Sequence, residues 1–409
     1  MKNTKDNPIK LILLGALLLV LLVSLFLTVR ASFGRTEPKE AAAKTAAPTG
    51  TPTPTGTPFV PPEQEEIEAP TPEPTREPLP TPPPVSEAPT PEPTLLDIHA
   101  LYDPSETTQI RVYDHRTGER ITMDLEEYVV GVVAAEMPYH YSYEALKAQA
   151  VTTRTYTLYS AAHGGCHTDP ESDVCTNSKC CQAFSTRERM ENAWGKGFIL
   201  NYNRVAQAVM DTKGEVIVWR GKLCDAMYHA CSGGQTENSE NVYANAIPYL
   251  RGVASPYEDP MREEDTEIGT DALAALIAAK YPESGITPEN VRDGIAIVSA
   301  YESGRVKELR LGKTKITGKQ ARSLFGLRST MFTFTWKDEG IVFHTVGFGH
   351  GVGLSQNGAN GMAKHGSNYR EILLHYFTGV TIEHYGPDGI GPAATSVSGE
   401  EPPLFVPED

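Results

Sequence analysis

Positive charge is scarce in this chain: 36 Lys and Arg stand against 52 Asp and Glu, for a formal net charge of -16 at pH 7. Nucleic-acid binding needs a concentrated basic surface, so that class is set aside. The acidity otherwise says little beyond solubility. No His-Glu-x-x-His pair occurs in the sequence, which removes the familiar helix signature of a zinc hydrolase. From about Thr45 to Thr94 apolar residues are nearly missing, as in TGTPTPTGTPFVPPEQEE and TPEPTREPLPTPPPVSEAPTPEPT. Such a stretch cannot offset the entropy of ordering and is expected to be an extended, solvated spacer. At about 3 Å per residue, roughly 50 residues reach up to about 150 Å.

Charge is absent altogether from Leu11–Val29, which follows Lys2, Lys5 and Lys10. That run is long enough to cross a bilayer, and no small-x-small cleavage site follows it. The reading is a cytoplasmic tail over 1–10, a transmembrane helix over 11–29 and a disordered Pro/Thr-rich linker over 30–95. Arg30, Arg35 and Lys39 leave the positive-inside count indecisive, so the orientation rests on the tail being too short to be a domain. The acidic, Pro- and Gly-rich residues 385–409 read as a disordered tail. One folded region, 96–384, remains, large enough for a sizeable core. Strands are expected at Gln109–Val112 and Arg120–Met123 as a hairpin, and at Ala206–Thr212, Glu215–Trp219, Ala226–Ala230, Ile295–Ser299, Val306–Leu311 and Phe332–Phe334. Surface helices are expected at Asp271–Lys280 and Lys319–Phe325. Strand runs with helices inserted point to a single mixed α+β domain.

The stretch Asp124–Pro138, DLEEYVVGVVAAEMP, carries the chemistry. Leu125, Tyr128, Val129, Val132, Val133 and Met137 fall at the spacing of a helix with one buried stripe. Glu136 falls at the same spacing and interrupts the apolar face. Pro138 disfavours helical geometry at Met137, so Glu136 belongs to the last turn. Burial and the negative end of the helix dipole both favour the neutral acid, which suits a general acid. The pattern fits equally well a partly exposed Glu at a frayed helix end.

A second helix, about Tyr143–Ala162, is expected to be capped by Ser142 with Glu144 in its first turn. Lys147, Val151, Arg154 and Leu158 share one of its faces, which offers two cations about two turns apart. They could hold sugar hydroxyl or acetamido groups, or merely be a solvated face with one buried Arg stem.

Four blocks together resemble the stage II sporulation protein D family, whose domain is shared with amidase enhancers of bacterial walls: YVVGVVAAEMP, EALKAQAVTTRTYTL, YHACSGGQTENSENVY and VGFGHGVGLSQNGANGMA. The resemblance implies a lytic transglycosylase acting on peptidoglycan glycan strands, with Glu136 as its one catalytic glutamate and Lys147 and Arg154 as basic substrate-site residues. Ser232, with Gly233 and Gly234, matches the family's small-residue turn. Gly349–Gln356 matches a second glycine loop, with His350, Ser355 and Gln356 as donors toward sugar. It further implies bare glycan as substrate, a cell-wall amidase and other engulfment membrane proteins as partners, and a place in septal wall remodelling during sporulation. A non-catalytic wall-binding or amidase-enhancing module is the competing reading, and dimerisation stays open.

Four of the six cysteines crowd into CHTDPESDVCTNSKCC. Disulfides are the default outside the membrane, but Cys and His at short spacing also suit tetrahedral zinc. Family members that resemble this segment bind structural zinc through a Cys and a following His-Cys pair, and Cys180 stands where that His would be. The expected ligands are His167, Cys175, Cys180 and Cys181, with Cys166 as rival to His167. Cys224 and Cys231 read as buried thiols.

Overall fold

The computed structural model describes residues 93–102, 107–259, 261–386 and 389–391. The expected tail at 1–10, membrane helix at 11–29 and most of the linker lie outside them. Among the described residues no helix is long and apolar enough to cross a membrane.

Strands β1 (Gln109–Tyr113) and β2 (Arg120–Asp124) form the anticipated hairpin, and helix α1 (Leu125–Glu136) follows directly. Asp124 caps α1 by accepting the Glu126 N–H at 2.9 Å, and Glu126 and Glu127 fill the acidic first turn. Helix α2 (Tyr143–Ala162) packs against α1. Ser142 sits at its N-cap position without a side-chain cap bond; its N–H donates instead to Asn360 Oδ1 at 2.8 Å.

A short strand β3 (Val174–Cys175) pairs parallel to β1. Helices α3 (Arg187–Trp194) and α4 (Phe198–Met210) come next. Here the expectation of a strand at Ala206–Thr212 is overturned. Tyr202, Val205, Ala206 and Val209 are buried at helical spacing, so the segment is the end of an amphipathic helix that begins earlier.

Strands β4 (Glu215–Trp219), β5 (Lys222–Leu223) and β6 (Tyr228–His229) lead into an inserted lobe. It holds β7 (Glu263–Gly269), α5 (Thr270–Lys280), α6 (Val291–Gly294), β8 (Ile295–Ala300), β9 (Val306–Leu311), β10 (Thr314–Thr317), α7 (Gly318–Phe325), β11 (Phe332–Lys337) and β12 (Gly340–Val346). Two antiparallel sheets, ordered β10-β9-β8 and β11-β12-β7, enclose the lobe's own core around Leu273, Ile277, Leu309, Leu311, Ile341 and Phe343.

The chain then returns to the first core through β13 (Leu354–Ser355), α8 (Gln356–Lys364), α9 (Tyr369–Tyr376), β14 (Thr381–Gly386) and β15 (Gly389–Gly391). β13 lies parallel to β6, with Leu354 opposite Tyr228 and Ser355 opposite His229. That pairing brings together two segments separated in sequence by the whole inserted lobe. β14 pairs with β4 and β15, so the folded region runs beyond His384 into the stretch expected to be a tail. The result is α+β, with two cores among the described residues.

Candidate functional site

Glu136 is the last residue of α1, and the backbone turns extended at Met137 ahead of Pro138. Its Oε1 accepts the Ala183 N–H at 2.7 Å. The Gln356 amide and the Tyr228 hydroxyl lie in hydrogen-bonding reach of the same carboxyl. The same hydroxyl lies 3.1 Å from Gln182 Oε1, so its one proton can serve either acceptor. Burial pushes the Glu136 carboxyl above the ordinary carboxylate range, and these three donors only partly pull it back.

Local packing explains how Ala183 reaches the acid. Ser185 N–H donates to the Gly131 carbonyl at 3.0 Å, and the Phe184 ring stacks on Tyr128 with centroids 5.5 Å apart. A Cβ at position 131 would stand 2.2 Å from Phe184 Cε2, so only glycine lets the 182–185 segment lie this close to α1.

The carboxyl opens into a cleft of about 680 Å³, walled by residues after α1, the cysteine loop, β6, the inserted lobe and the loop before β13. Among the described lining residues Glu136 is the one that carries a carboxyl. His350 lines the same cleft. Its Nδ1 accepts the Val352 N–H at 3.1 Å, which leaves the proton on Nε2, facing the Tyr228 carbonyl. Burial, then the charge of Arg322, brings the imidazole down to about 4, so it is neutral and a positioning group rather than an acid at neutral pH.

Of the other expected residues, Gln356 is at the site: it opens α8, touches Glu136, and donates to Gln149 Oε1 of α2 at 3.3 Å. Lys147 and Arg154 are not. Lys147 is held by Glu144 at 3.0 Å and Asp211 at 3.6 Å. Arg154, 0% exposed, forms a two-pronged ion pair with Glu126 at 2.8 and 2.6 Å and donates to the Glu215 and Val209 carbonyls. Neither lines the Glu136 cleft. Their spacing on α2 reflects core-building contacts, and the buried-stem reading is the one that fits.

Ser232 and Ser355 are also internal. Both hydroxyls donate to the carboxylate of Glu258, a residue that sequence reasoning missed. Gly233 and Gly234, at φ +80° and +95°, turn their N–H groups onto the same carboxylate at 2.7 and 3.0 Å, and Ser232 N–H joins at 2.7 Å. Burial alone would raise Glu258, but the bonds from Ser355, Ser232 and Gly234 outweigh it and hold its carboxyl below the ordinary range. Arg305, buried in the inserted lobe, ties both glycine loops together. It donates to the Ser232 and Gln235 carbonyls at 2.6 and 2.7 Å, and its guanidinium fills the space a Cβ at Gly351 would need. The small-residue motif marked a turn, but nothing local in the sequence pointed to Glu258 or Arg305 as its occupants.

The cysteine cluster gathers Cys166, the expected rival, in place of His167. Sγ atoms of Cys166, Cys175, Cys180 and Cys181 all lie within 4.8 Å of one another, whereas His167 is exposed and outside the group. The Cys166–Cys180 and Cys180–Cys181 sulfurs are 3.7 and 3.8 Å apart. Four sulfurs about 2.3 Å from a tetrahedral zinc would be about 3.8 Å from each other, so this donor set fits that ion. A hydrogen bond from the Cys181 thiol brings Cys175 down to about 5. Cys180 and Cys181 line the cleft, and Ala183 lies two residues beyond. Cys224 and Cys231 are buried free thiols, as expected.

The sequence model of the family described as Stage II sporulation protein matches residues 113–219, a span that holds Glu136 and the four-cysteine cluster. Stage II sporulation protein D of Bacillus amyloliquefaciens is 33% identical over 63% of this chain and 74% of its own length. The Bacillus subtilis protein of the same name is 31% identical over the same shares. The Bacillus subtilis amidase enhancer is 27% identical over 62% of this chain but 40% of its own length.

Proposed function

Because this chain belongs to the stage II sporulation protein D family, we propose that it is a membrane-anchored lytic transglycosylase acting on peptidoglycan glycan strands during sporulation. The observation that carries this reading is Glu136 itself, the one carboxyl among the described residues lining an open cleft, raised above the ordinary carboxylate range by burial. Ordinary glycosidases use two carboxyl groups, one of them to engage water or the sugar. One suffices when the nucleophile belongs to the substrate. Glu136 gives its proton to the oxygen joining N-acetylmuramic acid to the next sugar, and the C1–O bond breaks. The C6 hydroxyl oxygen of the same ring bonds to C1, and its proton passes to the Glu136 carboxylate. No water is consumed, the acid is regenerated, and the strand ends in a 1,6-anhydro sugar.

Cys166, Cys175, Cys180 and Cys181 would hold a structural zinc. Four protein ligands leave no open position for water, and the bound ion would fix the loop that leads to Ala183. The uncharged run Leu11–Val29 would anchor the chain, with the 96–391 domain outside the membrane on the far end of its spacer. A wall amidase is the expected partner, consistent with the name of the amidase-enhancer relative. That name also favours the second reading, a module that binds glycan and stimulates an amidase without cleaving.

Mass spectrometry of glycan strands decides between them. Wild-type protein should release fragments lighter by one water than hydrolysis products. Glu136→Gln should lower turnover by about 10²–10⁴-fold while glycan binding persists. Ordinary reducing ends would mean hydrolysis, cleavage by the variant at the wild-type rate would remove Glu136 as the acid, and binding without cleavage by the wild type would leave only the binding-module reading.

A further inference from the structure

The Glu136 cleft does not end at His350. A second cavity of about 480 Å³ adjoins it, and Tyr243, Arg322 and His350 line both. The charged residues along this path run against the balance of the whole chain. In the first cavity Lys179, Arg262 and Arg322 line the wall with one carboxyl, Glu136, whose pKa burial raises. In the second, Lys307 and Lys319 join Arg322. The two acids there are already engaged. Glu240 pairs with Arg251 at 2.5 Å, and Glu237 lies near Arg305 and accepts the Ser303 hydroxyl and the Asn241 amide.

Solvated lysines alone would mean little, so the weight falls on Arg322. It projects from α7 at the junction of the two cavities and is only partly exposed. Its Nε donates to the Leu327 carbonyl at 3.3 Å, and among the described residues no carboxylate pairs with it. Burial depresses its pKa, as expected for a guanidinium without a counter-anion. Lys319, one turn earlier on the same helix, holds its ammonium 5.6 Å over the Tyr243 ring, also without an acid. A half-buried cation left unpaired beside a cleft is unfavourable unless a ligand supplies the anion. The planar fork of arginine matches a carboxylate in two parallel hydrogen bonds.

Building on the transglycosylase reading, we propose that Arg322, supported by Lys319, is the specificity element that recognises a carboxylate carried by the glycan strand as it passes from the Glu136 cleft into the second cavity. Such a carboxylate has two sources: the acid side arm of the muramic sugar itself, or the peptide attached to that arm.

The test is equilibrium binding by the full chain carrying Glu136→Gln, so that nothing is cleaved and the result does not depend on the transglycosylase reading. Three glycans are compared: one with free side-arm acids, one with those acids converted to neutral amides, and one bearing peptides. At least one acidic form should bind about 10- to 100-fold more tightly than the neutral form, and adding Arg322→Gln should abolish that ratio. Preference for the free-acid form assigns the sugar's own carboxylate, and equal or tighter binding of the peptide form assigns the peptide's. Lys319→Gln, at an exposed position where folding is not at risk, should lose about 2- to 5-fold. Retention of the full ratio by an Arg322→Gln protein with an unchanged thermal midpoint overturns the proposal. So does equal binding of the neutral glycan by the parent.

Discussion

Replacing Glu258 with Gln should damage the fold far more than its distance from the acid suggests. The Glu258 carboxylate accepts from Ser232 N and Oγ at 2.7 and 2.8 Å, from Gly233 and Gly234 N at 2.7 and 3.0 Å, and from the hydroxyls of Ser255 and Ser355. Gln keeps one acceptor oxygen but turns an NH₂ toward donors. On the side of Oε2, the N–H groups of Gly233 and Gly234 would then face a donor. A hydrogen bond to a charged group contributes about 1.5–3 kcal/mol, and a stranded buried donor costs about 1–3 kcal/mol. Two such losses, partly relieved by rotation of the amide, give a destabilisation of about 3–5 kcal/mol. Urea unfolding at pH 7 should show it as a lower midpoint with an unchanged slope. The pH dependence supplies a second check. Hydrogen bonds hold the folded-state pKa of Glu258 below its unfolded value, so its contribution is present above the unfolded pKa and is lost as pH falls through the folded one. The gap between wild type and Glu258→Gln should therefore close in acid, below about pH 4. A gap under about 1 kcal/mol at pH 7, or one that acid leaves unchanged, refutes this account of the glycine loop.

Gly131→Ala should destabilise by about 1–3 kcal/mol in the wild type but by much less beside Phe184→Ala, because the clash is with that ring; equal cost in both backgrounds, measured by urea unfolding, would deny the contact. Arg154→Ala should cost about 3–5 kcal/mol by stranding Glu126, while a protein kept folded in stabilising buffer should still bind glycan, since Arg154 is away from the cleft. Cleavage should need Glu136 protonated, so kcat/KM should fall as pH rises through a pKa above the ordinary carboxylate range, and a fall on the acid side alone would contradict the assignment. Elemental analysis should find about one zinc per chain, removal by chelator should lower the thermal midpoint, and Cys166→Ser should weaken retention of the metal while His167→Ala should not.

What the sequence made legible follows the range of the interactions involved. The α1 helix, its end at Pro138 and the place of Glu136 in its last turn are set by neighbours within a few residues, and all were read correctly. The strand expected at Ala206–Thr212 failed because the window opened in the middle of α4, where the buried Ala206, Ala208 and Val209 resemble a short apolar strand. Lys147 and Arg154 shared a helical face as predicted, but periodicity cannot tell a ligand-facing cation from one paired with Glu126 or Glu144. The fourth cysteine position turned on three-dimensional reach. Spacing alone did not distinguish His167 from Cys166, whereas the bend that places Cys166 N–H on the Ser172 carbonyl at 2.8 Å folds the cysteine inward.

Polar groups link Glu258 to the acid in a way that explains why two distant glycine motifs accompany one glutamate. Glu258 grips the Ser232–Gly234 turn, which leaves β6, and also Ser355, the last residue of β13. Ser355 caps α8 by accepting the Gly358 N–H at 3.2 Å, and the first residue of that helix, Gln356, reaches Glu136. Tyr228, on the strand paired with β13, reaches the same carboxyl. A proton donor is useful only if its neighbours neither ionise it nor let it wander. The glycine loops bind an internal anion, and that anion ties the turn after β6 to the end of β13, next to Tyr228 and Gln356, which reach Glu136. Burial at the negative end of α1 then raises the Glu136 pKa and favours the acid form. On this account the loops serve the site by holding its frame.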